Sequence, residues 1–117
     1  MQSHETTHEE SMAACIETCS ACYDICQRMI YDHCPKLGGA HVEPRHLKLM
    51  ADCADLCRIA ADFMLRGSPR HKLTCNLCAE ICHVCADDCE RIGQMAECVK
   101  VCRQCAESCR EMAGEGT

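Results

Sequence analysis

Tryptophan is absent from this 117-residue chain, phenylalanine occurs once and tyrosine twice. Nucleic-acid binders stack successive bases on aromatic side chains and present basic surfaces. This chain has few such platforms and a net charge of −6, so nucleic acid is excluded as a partner. No stretch approaches the roughly 18 apolar residues of a membrane helix. The N-terminus, Met1-Gln2-Ser3-His4-Glu5, has no basic segment followed by an apolar one and is not a signal peptide. A cytoplasmic location is the expectation. The scarcest material of all is ordinary core: Leu, Ile, Val and Phe together supply 18 of 117 residues. Chains that poor in aliphatics usually fail to build a core.

What is present instead is sulfur. The chain has 16 cysteines and seven methionines, and a protonated cysteine packs as a small hydrophobe. Cys15, Cys19, Cys22 and Cys26 follow one another at steps of four, three and four. Cys75, Cys78, Cys82, Cys85 and Cys89 repeat the pattern, as do Cys98, Cys102, Cys105 and Cys109; Cys53 and Cys57 add one further step. Residues three and four apart share one face of an α-helix. Each run is therefore a line of thiols at the positions where a helical bundle normally keeps leucine. Only Cys34 falls outside these lines.

Start and stop signals divide the chain into four helices within a single domain spanning residues 1–117. Thr7 and Glu10 form a capping-box pattern at the head of a first helix, about 8–33, which Pro35 and the glycine pair Gly38-Gly39 would end. Pro44 opens a second, about 44–66, closing before Gly67. Ser68-Pro69 precedes a third, about 69–91, and Gly93 separates it from a fourth, about 94–113. Short links favour antiparallel neighbours, which makes the fold class all-α: an up-down-up-down four-helix bundle with a cysteine-lined core. The segments CIETCSACYDIC, CAEICHVCADDC and CVKVCRQCAESC echo one another along the chain.

Four chemistries compete for such sulfur. Disulfides need specific Cβ geometry, which parallel-pointing side chains on a helix supply poorly, and cytosolic thiols stay reduced. Iron–sulfur motifs wrap a loop around a compact cluster, which a line of thiols cannot do. Structural zinc takes four thiols, and sixteen is excess. Copper(I) is soft and selects thiolate. It accepts two ligands, and a thiolate can bridge two ions, so a line of sulfur can carry a row of Cu(I). Copper uses every sulfur. Zinc or another thiophilic metal, and thiol/disulfide redox chemistry, remain the alternatives. No nucleophile and base stand together in the sequence with local support, so a binding protein is expected rather than an enzyme.

The segments CIETCSACYDIC, CADLC, CNLCAEICHVCADDC and ECVKVCRQCAESC resemble the bacterial copper storage proteins, over nearly the whole chain. That resemblance implies a homotetramer of bundles, each loading many Cu(I) ions inside, in a cytosolic branch of the family. A copper donor or acceptor protein is a further partner. It makes every cysteine in the lines a candidate ligand: Cys15, Cys19, Cys22, Cys26, Cys53, Cys57, Cys75, Cys78, Cys82, Cys85, Cys89, Cys98, Cys102, Cys105 and Cys109. Relatives tend to have another cysteine near the start of helix 2, where this chain has His46. One end of the expected bundle gathers Met29, His33, His46, Met50 and Met95; the other gathers His8, Met12, Met64, His71 and Met112. Thioether and imidazole hold Cu(I) more loosely than thiolate, which suits a port. The departure from cysteine at His46 and Met50, and the Met or His that relatives cluster near the same mouth, select the first end. Ordinary core methionine and solvated histidine are the competing reading of these residues. A second line, Ile16, Tyr23 and Ile30, recurs every seven residues and could serve either the core or an interface between bundles.

Overall fold

The computed structural model describes residues 4–114, and every regular element among them is helical. α1 covers His4–Arg28 and runs through a π-helical turn, Met29–His33, into the short α2, Cys34–Leu37. A 3-10 turn, Gly39–Val42, leads to α3, Pro44–Leu65; α4, His71–Ile92, and α5, Ala96–Gly114, complete the chain. The four long helices form a ring in which α1 packs on α3, α3 on α4, α4 on α5 and α5 back on α1. The result is the expected antiparallel four-helix bundle, an elongated body of 52 × 24 × 20 Å. No described helix is long and apolar enough to cross a membrane.

Glycine stops two of the helices where the sequence places the breaks. Gly67 and Gly93 have φ of 67° and 87°, a region that favours glycine because it has no Cβ. Pro44 occupies the first turn of α3, where its missing N–H costs nothing. Three boundaries differ from expectation. α1 begins at His4, ahead of Thr7, so the capping box does not mark its start; the Thr7 side chain lies outside the described residues. α4 begins at His71 rather than at Pro69, because Ser68 and Pro69 are spent in a turn. There the Ser68 hydroxyl accepts the Arg70 N–H and the Ser68 carbonyl accepts the His71 N–H.

The third difference matters for the site. Pro35 does not end the first helix, which continues to Leu37 and stops only at Gly38, φ 67°. A π turn makes this possible: the Cys34 N–H bonds the Met29 carbonyl, five residues back, which inserts one extra residue into the helical repeat. In an unbroken α-helix His33 would follow Cys26 on the inward face, two turns on. The extra residue rotates Cys34 into that place instead. Cys34 is fully buried and His33 is only half-buried.

Candidate metal centre

All 16 cysteines are fully buried, and none is in a disulfide. Alanines 54, 60, 61, 79, 86 and 106 stand beside them in the core, small enough to let the helices approach. Ile16, Tyr23 and Ile30 are partly buried and pack against this core. A leucine seam would bury more apolar volume, at about 0.8 kcal/mol for each CH₂. Stability alone does not select cysteine at these positions.

The sulfurs touch in an unbroken path along the bundle. From one end it runs Cys15 to Cys109 at 3.7 Å, Cys109 to Cys19 at 3.5 Å and Cys19 to Cys105 at 3.8 Å. It continues through Cys57 at 3.8 Å, Cys82 at 3.6 Å and Cys53 at 3.6 Å. Cys22 follows at 3.8 Å, Cys102 at 3.6 Å, Cys98 at 3.9 Å and Cys89 at 3.9 Å. Cys78 branches from it, 3.8 Å from Cys57 and 3.7 Å from Cys82.

Four groups of thiols have all their sulfurs within 4.8 Å of one another: Cys15, Cys75 and Cys109; Cys19, Cys78, Cys105 and Cys109; Cys22, Cys57, Cys82 and Cys105; and Cys22, Cys26, Cys53 and Cys102. Successive groups share a corner, at Cys109, Cys105 and Cys22. Separate structural zinc sites would each own four thiolates, whereas shared corners call for a metal that accepts bridging thiolates.

In the metal-free bundle the thiols satisfy one another. A hydrogen bond with Cys102, then others with Cys22, Cys53 and Cys85, and finally burial, raise the Cys26 thiol above its ordinary range. Cys57 is raised in the same way, first by Cys105. Neutral thiols avoid the cost of bare charges in a dry core, and a bound cation would displace their protons.

At the end of the bundle that gathers the last turn of α1 and the start of α3, the donors change. His46 is fully buried, its Nδ1 2.8 Å from Asp88 Oδ2 and its Nε2 3.7 Å from the Cys34 sulfur. Because the carboxylate accepts, Nδ1 carries the proton and Nε2 turns a lone pair towards Cys34. Arg91 holds the other carboxylate oxygen through Nε at 3.1 Å and Nη2 at 2.8 Å. Burial opposes the Asp88 charge, but the bonds from His46 and Arg91 outweigh it and hold the carboxyl below its usual range. Met50 and Met95 are buried here, while Met29 is half-buried. His33 turns away from the sulfurs to the Gln94 carbonyl, 2.7 Å from Nε2. His41 similarly bonds the Gly93 carbonyl at 2.9 Å. A cavity of about 300 Å³ opens beside this end, lined by Cys89, Gly93, Gln94 and Met95 among others.

Three participants here are invisible in the sequence pattern. Cys34 enters the core through the π turn, and His41 reaches it from the 3-10 turn. Asp88 looks like one more surface acid next to Cys89. Together Cys34, His46 and Asp88 make the thiol–imidazole–carboxylate arrangement of a nucleophile, its base and an orienting acid, an arrangement with no local signal in the sequence. Its chemistry does not suit attack on a substrate. Burial, then the neighbouring Cys89, push the Cys34 thiol up to about 11, the reverse of an activated thiolate, and Cys34 has no exposed surface. A neutral imidazole oriented by a carboxylate is equally the arrangement of a metal-binding histidine.

The sequence profile of the copper storage protein family matches residues 4–114. Among solved structures, a protein of Nitrosospira multiformis superposes with a TM-score of 0.88 at 50% identity, over 90% of this chain and 96% of that one. The Cu(I)-bound copper storage protein BsCsp3 of Bacillus subtilis gives a TM-score of 0.82 at 35% identity, over 89% and 99% of the two chains. A cytosolic copper storage protein of Streptomyces lividans holding five coppers gives 0.81 at 26% identity, over 96% and 99%.

Proposed function

The chain belongs to the copper storage protein family, and we propose that the whole of it acts as one storage domain whose fifteen lined-up cysteines, joined by Cys34, are the Cu(I) ligands. The protein binds Cu(I) in quantity, several ions to a chain. The single observation that carries the ligand assignment is the unbroken path of sulfurs 3.5–3.9 Å apart from Cys15 to Cys89. Each Cu⁺ that settles between two thiolates offsets the charge uncovered by the departing protons. The row then fills without leaving bare charge inside.

Copper enters at the His46 end. Cys89 lies on the wall of the cavity there, and hydrogen bonds with Cys85 and then Cys98 bring its thiol down to about 5. A thiol that gives up its proton readily to an arriving cation therefore stands beside the opening. Met95, Met50 and the Nε2 of His46 offer weaker donors that an ion can leave as it moves inward. Met29 and His33 flank the mouth, and the bond of His33 Nε2 to Gln94 must break before that nitrogen can ligate.

Storage rather than catalysis fits a set of equivalent, buried thiols. The S. lividans relative is described as cytosolic, and the same compartment suits reduced thiols here. Assembly into a homotetramer would cover the apolar side chains that α4 exposes at Leu73, Leu77 and Val84. Exchange of copper with a donor or acceptor protein would take place at the mouth.

Anaerobic titration of the reduced protein with Cu(I), read by native mass spectrometry, tests the reading. Saturation on the order of one Cu(I) per thiol supports it, since Cu(I) needs few soft ligands. Saturation at one or two ions, or zinc bound at about four thiols per ion, rejects it.

A further inference from the structure

At the far end of the bundle, the start of α1, the end of α3, the start of α4 and the end of α5 converge. Cys15, Cys75 and Cys109 form the last thiol group there. Beyond it the thiols give way to Met12, Met64, His71 and Met112. Met64 and Met112 are buried, 3% and 1% exposed, and Met12 is partly so. His71 precedes Cys75 by one helical turn on the same face of α4. The His8 ring lies beside it, with centroids 6.3 Å apart.

The His71 ring is held in one tautomer. Its Nδ1 is 3.1 Å from the Ser68 carbonyl oxygen, which can only accept, so Nδ1 carries the proton. The lone pair of the neutral ring is then on Nε2. That atom is buried and has no hydrogen-bond partner. An unsatisfied buried acceptor is destabilising, and a leucine in its place would avoid that cost. The Ser68 bond accounts for Nδ1 and leaves Nε2 without a role in the packing of α4.

We infer that His71 Nε2, with the thioether sulfurs of Met64 and Met112, forms a terminal Cu(I) site separate from the thiolate row. The inference rests on the Cu(I) reading of the bundle. Both ligand types are neutral, so binding displaces no proton and leaves the ion's single positive charge in place. A soft monovalent cation suits such a site; a dication in the same apolar setting would carry twice the uncompensated charge. Because thiolate is absent from the set, this site fills after the row and empties before it.

Histidine ¹H–¹⁵N NMR on the reduced, full-length protein tests this as Cu(I) is added anaerobically. Cu(I) is diamagnetic, and the His71→Leu variant assigns the signal. The site predicts that the His71 Nε2 resonance leaves its bare-nitrogen position late in the titration, after the thiols have filled. In a Met64→Leu/Met112→Leu variant, a volume-conserving exchange, the same shift should need about tenfold more free Cu(I). An Nε2 resonance that stays at its bare position at full loading overturns the site. An unchanged Cu(I) dependence in the methionine variant overturns the thioether ligands. The ion count taken up by the thiols is read in the same titration, and a count of one or two overturns the storage reading independently of His71.

Discussion

His46 donates a hydrogen bond from Nδ1–H to Asp88 Oδ2 across 2.8 Å and by doing so aims Nε2 at the sulfur of Cys34, 3.7 Å away. The carboxylate thus sets both the tautomer and the direction of a fully buried ring. Replacing Asp88 by Asn keeps the shape and removes the charge that Arg91 and His46 share. The Asp88→Asn protein should bind its most weakly held mouth copper about 10–100-fold less tightly while keeping its total capacity. Competition with a Cu(I) chelator, compared at low and full loading, measures this.

A second prediction concerns alkaline pH. Many core thiols are raised above the ordinary thiol range, Cys34 to about 11 by burial and Cys89, and Cys75 to about 12. For Cys75 the bond with Cys109 lowers the value, and the bond with Cys15 and burial outweigh it. A thiol that holds its proton more tightly when folded contributes stability that is complete below its unfolded pKa. That stability disappears as pH rises through the folded one. Urea midpoints of the reduced, metal-free protein should therefore fall progressively between pH 9 and pH 11 or 12. A midpoint independent of pH over that range would contradict the protonated-thiol core.

The lines of cysteine were legible because helical periodicity is local: steps of three and four suffice to put Cys98, Cys102, Cys105 and Cys109 on one face. The bundle followed from Gly67, Gly93 and Pro44, whose backbone constraints are also local. Cys34 was not legible, since its inward position depends on a π turn with no sequence signature, placed where Pro35 suggested a helix end. Asp88 was hidden for a different reason. One residue before Cys89, its position implies a surface acid, and only the approach of α3 brings His46 to it. His33 errs the other way: the α-helical period that points it inward is broken by that same π turn.

The third prediction addresses the mouth. His46→Leu/Met50→Leu should load Cu(I) from a chelator more slowly, by about tenfold if each lost donor raises the barrier by roughly 0.7 kcal/mol. The final ion count should fall by no more than the mouth ions. An unchanged rate in this variant, with a slower rate in Met64→Leu/His71→Leu, would put the port at the opposite end.

Assembly gives the fourth. Leu73, Leu77 and Val84 are 72%, 47% and 51% exposed on α4, and large exposed apolar groups in a row mark surfaces that associate. Light scattering at micromolar concentration should return the mass of a tetramer, and Leu73→Glu/Leu77→Glu should reduce it. A monomer mass for the unmodified protein would remove the interface.

The most direct test of the central claim is to see the ions. Crystals of the fully loaded, reduced protein, measured on both sides of the copper absorption edge, would place each Cu(I) by its anomalous signal. The account predicts a row of peaks along the bundle axis, bridged by Cys109, Cys105 and Cys22 where neighbouring thiol groups share a corner. One or two isolated peaks, or copper confined to the outer surface, would contradict it.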